Sequence, residues 1–550
     1  MGLITATLIS SGATFNVDES NISKLYQKGS VSVIEYLDAE TGYKVVSEAS
    51  EAAADLFSQA SRLFSTTLNG TTIYLNADRI VRTESVNGLA RLSYRVDGDT
   101  VETLQLGVSE ADLINSLPSD APGGGAAAEY VSASSGDDGT GTRGDSSLPF
   151  ATLGAARDAA IPGDLISVAA GAYNTNNANL GKNQVDWFFA NGAEVVAETT
   201  APIWNDVPQG YCVYGYGEFN NGLLQSPYLV YFNQSSSKIS IQCRSIRGNC
   251  TLATVWVTNS GYGKYVEAYT DIQNTETGNF GRLLYFQGGG TGKVTVKSPL
   301  LQNTVQSLGF TGSTAEQGTV ITCAGNSYDV DVFSETMTNP TVASLSAIYY
   351  GRTAATGKTY VEGDFIKSFS SYQFYYAAIS HQGGEFEHKG NATVVNGSAY
   401  YASNLGAVNK FKHISGLYQS DVGNAIRLHD TLARTYQFDG EYESGATQTY
   451  TLGISGNITG SRVDMGLARP FGINNLATTN GVGIRNTTAY VLHIHNGFIF
   501  VNDTAGGEAI DTNAADNVFV KGSLSANVDK NASVTILPAA KFAFDNAITY

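Results

Sequence analysis

The chain has 550 residues, of which 42% are apolar and only 15% charged, and its net charge is −18 at neutral pH. This length exceeds one ordinary globular core and predicts several domains or one elongated array. The acidic balance excludes nucleic acid as a partner, because phosphate contacts need clustered Lys and Arg. No run of about 18 apolar residues is present, which excludes insertion of a helix into a membrane.

Residues 1–118 are richer in charge than the rest and contain an internal repeat, in which positions at one constant offset match, as Ile22 does with Ile80 and Tyr36 with Tyr94. The run 47–63 is helix-like. We predict a tandem β-rich module whose copies are each near the lower size limit for folding alone, so that they share a core or dock on another protein. The next segment, 119–128, is rich in Gly and Ala and predicts a flexible linker.

The segment 129–175 predicts the start of a different domain. A strand at 129–132 is followed by a turn rich in Gly and Asp, a short amphipathic helix near 149–156 and an apolar strand at 165–168. Such an arrangement would close the open end of a stack of strands, whose bare edges otherwise invite aggregation.

Four similar phrases return between 359 and 438, and their aromatic residues stand at 360, 386, 411 and 436, at nearly equal intervals. A fixed period of this size is typical of a solenoid, whose units bury their apolar faces only by stacking. The phrases alternate with period two between Gly, Asn and Ser, which predicts a strand as the stacked unit. We therefore predict an all-β chain, with a parallel β-helix over 129–525 and a C-terminal cap over 526–550.

Stacking the phrases predicts which side chains become neighbours, about 4.8 Å apart. The first column is expected to be an interior aromatic stack: Tyr360, Phe386, Phe411 and Tyr436. The second column lies two residues on: Glu362, His388, His413 and Phe438. Carboxylate and imidazole together could serve as a general acid and base or as metal ligands. The alternative, which we favour because of the aromatic neighbours, is a hydrogen-bonded polar ladder near the core. The residues between point outward, where Glu387 and Lys412 are expected to form an ion pair.

Two groups of alternating carboxylates are weak catalytic candidates, because glycosidases need a pair of carboxyl groups flanking one bond. The first pair is Asp329 and Asp331, and the second group is Asp439, Glu441 and Glu443. With 50 acidic residues in the chain, chance clustering is the favoured explanation. No matched triplet of Arg or Lys supports a lyase-type base.

Other residues give weaker indications. His493 and His495 alternate on a strand and could ligate a metal with one further group, but no Asp or Cys at coil spacing clearly completes the set. We predict neither a metal nor a cofactor. The four cysteines have no CxxC spacing and are expected to be small buried groups, with a disulfide between Cys243 and Cys250 left as an alternative.

Pairs of tyrosines also lie about one coil apart. Exposed aromatic rows on a rigid sheet stack against sugar rings and partner proteins, whereas core and corner packing is the alternative. These residues are Tyr349 and Tyr350, Tyr375 and Tyr376, and Tyr400 and Tyr401, with Tyr372 near the middle pair.

The segment 129–175 resembles the entry to pectate-lyase-like right-handed β-helices, especially those of bacteriophage tail spikes and fibres. The resemblance covers this segment well and the remaining coils only by pattern, and it specifies fold better than activity. It implies a right-handed, single-stranded parallel β-helix, a homotrimer of three prisms side by side, and binding of a host-surface polysaccharide.

We therefore expect a virion structural appendage, a tail spike, fibre or surface decoration, which residues 1–118 anchor to other virion proteins. The chain start has no basic segment followed by an apolar one, so we expect a protein that is not exported by a standard signal and is assembled into the virion in the host cytoplasm. One alternative is a polysaccharide depolymerase, a hydrolase or a lyase, on the same scaffold. Another is a non-viral bacterial surface adhesin. Whether the chain is an enzyme is left open, with the non-enzymatic function favoured.

Overall fold

The computed structural model divides the chain into two compact units. Unit 1 consists of Met1–Gly171, Lys182–Ala193 and Tyr211–Gly215, and unit 2 of the remaining residues. The structure describes residues 3–9, 14–18, 22–37, 44–59, 63–68, 71–76, 80–86, 89–95, 101–106, 108, 128–175, 179–198, 200–222, 225–234, 238–260, 263–275, 281–305, 317–341, 343–352, 355–371, 373, 376–403, 409–429, 435–445, 447, 450–455, 462–486, 491–502, 506–512, 518–529, 534–536, 538 and 540–544.

Unit 1 begins with antiparallel sheets. Their elements are β1 Leu3–Thr7, β2 Thr14–Asp18, β3 Ile22–Lys28, β4 Val31–Leu37, β5 Lys44–Ala49, α1 Ala53–Phe57, β6 Leu63–Leu68, β7 Thr71–Asn76, β8 Ile80–Val86, β9 Leu89–Arg95 and β10 Val101–Gln105. They form a sheet of β1 and β2, a five-stranded sheet in the order β5-β4-β3-β7-β6, and a three-stranded sheet in the order β10-β9-β8.

The repeat in this module is a duplicated hairpin. The offset from the start of β3 to the start of β8 equals the offset from the start of β4 to the start of β9. The two hairpins also share one irregularity, since the register shifts directly after the pair Ile22 and Tyr36 and after the pair Ile80 and Tyr94. Each copy has its own buried cluster, and the copies are joined because β3 pairs with β7. The predicted tandem β-rich module is confirmed as an antiparallel β module.

The helix expected over 47–63 is much shorter. Among the described residues of that run, only Ala53–Phe57 is helical, while its first part belongs to β5, which pairs along its whole length with β4. Strand pairing therefore overrides the local helical preference.

The parallel strands begin at residue 128. The first elements are β11 Ala128–Val131, α2 Leu153–Ala159, β12 Leu165–Val168, β13 Gly171–Asn174, β14 Asp186–Phe189, β15 Ala193–Val196, β16 Trp204–Asn205, β17 Tyr211–Gly215, β18 Glu218–Asn220, β19 Ser226–Phe232, β20 Ile239–Gly248, β21 Cys250–Val257, β22 Lys264–Asn274, β23 Arg282–Phe286, β24 Lys293–Lys297, β25 Leu300–Asn303, β26 Ile321–Cys323, β27 Asp329–Asn339, β28 Tyr349–Gly351 and β29 Lys358–Ser368. They are followed by β30 Ala377–His381, β31 Gly384–Lys389, β32 Ala392–Val395, β33 Ser398–Ser403, β34 Asn409–Ser415, β35 Leu417–Ser420, β36 Ile426–His429, β37 Thr435–Phe438, β38 Glu441–Ser444, β39 Tyr450–Ser455, β40 Arg462–Met465, β41 Phe471–Asn475, β42 Val482–Asn486, β43 Val491–Ile494, β44 Gly497–Val501, β45 Glu508–Thr512, β46 Val518–Val520, β47 Ser523–Ala526, β48 Thr535–Ile536 and β49 Lys541–Phe544.

The entry segment has the predicted order of strand, turn, helix and strand. β11, β12, β14 and β17 of unit 1 pair in parallel. α2 is capped by Thr152, whose hydroxyl accepts a hydrogen bond from the Ala155 N–H at 3.2 Å, and it buries Leu153 and Ala156. The predicted linker lies outside the described residues except for Ala128, which begins β11.

The predicted parallel β-solenoid is confirmed, with stacked coils from about residue 187 to 526. In unit 2 the coils have three faces. Face 1 contains the first halves of β20, β22, β27 and β29 together with β24, β31, β34, β37, β40, β43, β46 and β48. Face 2 contains β15, β18, β25, β32, β35, β38, β41, β44, β47, β49 and the second halves of the long strands. Face 3 is a separate 12-stranded sheet: β16, β19, β21, β23, β26, β28, β30, β33, β36, β39, β42 and β45.

Faces 1 and 2 meet at a corner that is built in two ways. In β20, β22, β27 and β29 a single strand continues round the corner, and the register shifts there. In later coils glycines stack at the corner, with Gly390 at φ 147° and Gly416 at φ 119°. A Cβ on Gly416 would lie 2.1 Å from the carbonyl oxygen of Gly390, so only glycine lets the coils approach this closely.

The core of unit 2 is a set of files, in which each inward side chain lies above its counterpart in the previous coil. One file on face 1 contains Val296, Val332, Val361, His388, His413, Phe438, Met465, Ile494 and Val520. The two described helices have five and seven residues, and no described helix is long and apolar enough to cross a membrane.

Candidate functional site

The aromatic column is confirmed for three of its four members. Phe386, Phe411 and Tyr436 pair in register and are buried, with 5.7 Å between the rings of Phe386 and Phe411. The placement of Tyr360 is wrong: Phe386 pairs with Thr359, and Tyr360 faces outward opposite Glu387. This coil is slightly longer than predicted, and a shift of a single position reverses the face of every side chain in a strand.

The histidine column is a buried ladder. His388 and His413 pair in register and are fully buried, with 6.0 Å between their rings. Glu362 is not part of it, because Val361 takes that place and Glu362 points outward against Lys389. The combination of carboxylate and imidazoles that suggested acid–base chemistry therefore does not form.

Each histidine ring makes one hydrogen bond with a backbone carbonyl and one with a tyrosine hydroxyl. The Nε2 atom of His388 lies 2.9 Å from the Gly363 oxygen, and Nδ1 lies 2.7 Å from the Tyr418 hydroxyl. Because a carbonyl only accepts, the hydrogen is on Nε2, and Nδ1 accepts from the phenol. Burial lowers the pKa of His388 to about 4. His413 repeats the arrangement with Gly390 and Tyr442, and burial followed by the neighbouring His388 holds its pKa well below the usual value.

The carboxylates around residue 440 do not share one face. Asp439 is buried in the turn between β37 and β38, where it accepts hydrogen bonds from the Gln437 amide and from the Ala468 N–H. Glu441 and Glu443 point outward from β38. Glu443 accepts from Gln419 at 2.6 Å and from Asn474 at 2.7 Å.

Asp329 and Asp331 do share the outward side of β27, as predicted. Asp331 forms an ion pair with Lys293, and Asp329 accepts the Lys358 N–H at 3.0 Å. Glu387 and Lys412 pair in register on face 1, while the ion pair of Glu387 is with Lys358, at 3.1 Å. Asp331 and Glu387 are therefore balanced by lysine side chains of adjacent coils, whereas Asp329 accepts only a backbone N–H.

His493 and His495 lie beside a third possible metal ligand, which the sequence analysis did not identify. Asp464 lies opposite His493 in the previous coil, and its Oδ1 is 3.4 Å from His493 Nδ1 and 3.0 Å from His495 Nε2. Two cations already contact this cluster, because Arg462 donates two hydrogen bonds to Asp464 and Lys521 Nζ lies 3.1 Å from His493 Nδ1. Burial opposes ionisation of Asp464, but the hydrogen bonds from Arg462 and His495 outweigh it and lower its pKa. The cluster is balanced by these cations as an ion-pair network.

The cysteines are free thiols. Cys243, Cys250 and Cys323 are buried, as expected, but Cys212 is exposed on β17. Burial raises the pKa of Cys243, which disfavours the thiolate.

The tyrosines of these pairs that the structure describes do not form exposed rows. Tyr349, Tyr350, Tyr376, Tyr400 and Tyr401 are all buried. Tyr349 stacks on Phe386 at 3.8 Å and Tyr400 on Phe411 at 4.0 Å, so face 3 and face 1 pack their aromatic rings together across the core. Tyr372 and Tyr375 lie outside the described residues.

A groove on the outer surface brings together residues that sequence reasoning missed. It has a volume of about 510 Å³ and crosses the corner of faces 1 and 2 over four coils. Its central column, read in register from β22 to β29, is Glu267, Lys297, Phe333 and Glu362. The remaining lining residues are Ala268, Tyr269, Ser298, Pro299, Ser334 and Glu335.

The groove combines aromatic rings with charged groups. Lys297 Nζ lies 5.4 Å from the ring centre of Tyr265 and 5.6 Å from that of Phe333. At one side Tyr269 is 42% exposed and its ring lies 5.5 Å from that of Tyr216, which is 40% exposed. Such rings offer apolar surface that loses little conformational entropy on binding.

The groove carboxylates are oriented by hydrogen bonds. Glu267 accepts from the Tyr265 hydroxyl at 2.8 Å and from Gln242 at 3.1 Å. Glu362 accepts from Lys389 at 2.6 Å and from Tyr360 at 2.8 Å. The hydrogen bond from Lys389 lowers the pKa of Glu362. The groove therefore presents an ionised acceptor, with lysine donors and aromatic surface nearby.

The comparisons with known proteins add no relative. No protein-family model, no curated protein and no solved structure matches this chain.

Proposed function

We propose that this protein is a virion structural appendage, a tail spike, fibre or surface decoration, whose solenoid binds a host-surface glycan. The observation that carries the proposal is the groove column of Glu267, Lys297, Phe333 and Glu362 with Tyr269 beside it. Residues 1–118 would attach the chain to other virion proteins, and three chains would associate side by side.

The groove chemistry supports a sugar ligand. Sugar rings have an apolar face that stacks on exposed aromatic side chains, and their hydroxyls need both acceptors and donors. Phe333 and Tyr269 would supply the stacking surface, Glu267 and Glu362 the acceptors, and Lys297 the donor. The column repeats at each coil, about 4.8 Å apart, so a glycan chain could contact several coils at once.

Binding is favoured over cleavage. A glycosidase needs a carboxylic acid whose pKa is raised, so that it can protonate the leaving group. Lys389 lowers the pKa of Glu362. Of the weak catalytic candidates Asp439, Glu441 and Glu443, Asp439 and Glu443 are each engaged by two hydrogen bonds. The depolymerase alternative is kept because Glu335 is exposed in the same groove.

The test uses the full chain and polysaccharide purified from a candidate host. Binding is measured by surface plasmon resonance, and release of oligosaccharide by chromatography. Tyr269→Ala is expected to weaken binding about fivefold or more, since stacking on an aromatic ring contributes about 1 kcal/mol or more. Leu467→Ala removes another exposed apolar side chain and serves as the control.

The outcomes separate the alternatives. Retention without release, lost in Tyr269→Ala and kept in Leu467→Ala, supports the proposal. Release of oligosaccharide that is abolished by Glu335→Gln would replace it with the depolymerase. Native mass measurement of the full chain tests the trimer, and a monomer would contradict that part.

A further inference from the structure

A second surface feature lies on the outward side of face 3. Residues of successive coils stand in register there, and one file ends with Tyr401, Arg427, Gly453, Arg485 and Asp511. Arg427 and Arg485 are thus two coils apart, about 10 Å between their backbones. Arginine side chains are long enough for two guanidinium groups at this separation to reach one ligand between them.

Gly453 leaves a gap between the two arginines. A Cβ at this position would lie 2.2 Å from Cε2 of Tyr450, so the glycine is what allows the tyrosine ring to lie beside the file. The resulting hollow has a volume of about 230 Å³. It is lined by Arg427, Tyr450, Gly453, Ile454, Ser455 and Arg485.

The electrostatics of this hollow are opposite to those of the groove. Among the described residues, no carboxylate lines it, whereas three glutamates line the groove. One acidic partner lies in the next coil, where the Asp511 carboxylate is 3.3 Å from Arg485 Nε. The chain as a whole is acidic, with 50 acidic and 32 basic residues. A hollow lined by two guanidinium groups therefore differs in charge from the chain as a whole.

Besides the two arginines, the hollow has an aromatic ring and polar side chains, which suit a sugar better than a bare ion. The Arg485 guanidinium lies 5.6 Å from the ring centre of Tyr450, which leaves an aromatic surface beside the charge. The Ser455 hydroxyl, which lines the hollow, lies 3.2 Å from Nδ1 of the exposed His429. These two side chains add polar groups at one side of the hollow.

We propose that this hollow binds the oxyanion of an acidic glycan, with Arg427 and Arg485 on the anionic group and Tyr450 against the sugar ring. Guanidinium groups match carboxylate and phosphate in a planar, two-pronged geometry, and such bonds are about twice as strong as neutral ones. The inference rests on the proposed glycan-binding function and specifies an acidic class of ligand. The oxyanion can be a uronic acid carboxylate or a sugar phosphate, which the test distinguishes.

The experiment measures binding to the full chain by isothermal titration calorimetry. The ligands are an oligogalacturonate, a neutral oligoglucoside of the same length, a phosphorylated oligosaccharide and inorganic phosphate. Arg427→Gln and Arg485→Gln are each expected to weaken binding of the acidic oligosaccharide about tenfold or more, since each removes hydrogen bonds to a charged group. Arg485→Lys keeps the positive charge but lacks the two parallel N–H donors of a guanidinium, so it should weaken binding less than Arg485→Gln does.

Arg244→Gln is the matched control, because Arg244 is a similarly exposed arginine that also pairs with a carboxylate, Glu218 at 2.8 Å, but does not line the hollow. Loss of acidic oligosaccharide binding in the arginine double variant, with binding kept in Arg244→Gln and thermal unfolding unchanged, supports the inference. Preference for the uronate or for the phosphorylated sugar identifies the anion.

Three results would overturn the inference. They are unchanged binding in the double variant, binding of inorganic phosphate as tight as that of either acidic sugar, and no binding of either acidic sugar by the native chain. The proposed function is judged separately, by the Tyr269-dependent retention of host polysaccharide. Its failure would leave no binding of any glycan, whereas failure of this inference alone would leave that retention intact.

Discussion

The inner and outer sides of face 1 carry polar groups in different ways. Inside, His388 and His413 are polar members of an otherwise apolar file, and each has one phenol and one carbonyl as partners. Outside, the groove column holds charged and aromatic groups that remain open to solvent. Buried polar groups must be paired within the fold, whereas exposed ones can keep part of their binding capacity for a ligand. The buried ladder therefore contributes to stability, and on the proposed function the groove contributes to ligand recognition.

The largest expected effect is on the corner that supports the ladder. Gly390→Ala should lower the free energy of unfolding by about 3 kcal/mol or more, because its φ is 147° and the new Cβ would lie 2.2 Å from the Gly363 oxygen. Chemical denaturation measures the loss. Gly154→Ala in α2 is the control, since a Cβ there meets nothing within 4 Å, and it should not destabilise the protein. Equal stability of both variants would contradict the stacked corner.

Removing a ladder histidine should cost nearly as much. His388→Ala is expected to lower the free energy of unfolding by about 3 kcal/mol, because it leaves a cavity and removes the partners of the Tyr418 hydroxyl and the Gly363 carbonyl. The outward neighbour Glu387→Ala, on the same strand, should cost well under about 1 kcal/mol. If the two variants lose the same stability, the contrast between the two sides of the strand does not hold.

Acid should destabilise the ladder. The pKa of His388 is about 4 in the folded chain against a usual value of 6.5, so the unfolded chain binds the extra proton first. Stability is therefore fully present above about pH 6.5 and falls as the pH is lowered toward 4, by about 3 kcal/mol for this residue. Denaturation curves at several pH values measure the slope. The double variant His388→Phe with Tyr418→Phe removes both partners and should show a shallower slope.

The smallest effect on stability is expected in the groove. Glu362→Gln should change the free energy of unfolding by less than about 0.5 kcal/mol, because its ion pair with Lys389 is partly exposed on both sides. The same change should weaken glycan binding severalfold, since an ionised acceptor becomes neutral. Thermal unfolding and surface plasmon resonance on one sample separate the two effects. A loss of stability without a loss of binding would place Glu362 with the structural groups.

Much of the fold was predictable because repeats are visible wherever coils or modules have equal length. The constant offset between Ile22 and Ile80 and between Tyr36 and Tyr94 identified the duplicated hairpin. Equal spacing also aligned Phe386, Phe411 and Tyr436 correctly. The error at Tyr360 arose because the preceding coil is longer than the others, so that Phe386 pairs with Thr359.

The groove could not be predicted in the same way. Its column joins Glu267 to Lys297, Lys297 to Phe333 and Phe333 to Glu362, and these three steps along the chain are unequal in length. No single period connects these positions, so their alignment appears only when the strands are paired. Asp464 was missed beside His493 for a similar reason, since the coil between them is longer than those that join the four phrases.

Amino-acid order alone was enough to predict alternating strands, a nearly constant coil period and a duplicated β module before the coils. Those features follow from local side-chain alternation and from the length of chain in each coil. Which columns face the core, and which charged groups meet across coils, depended instead on how the coils pack. Strand register fixes the face of every side chain, and register is set by bulges, corners and loop lengths that a single coil does not reveal.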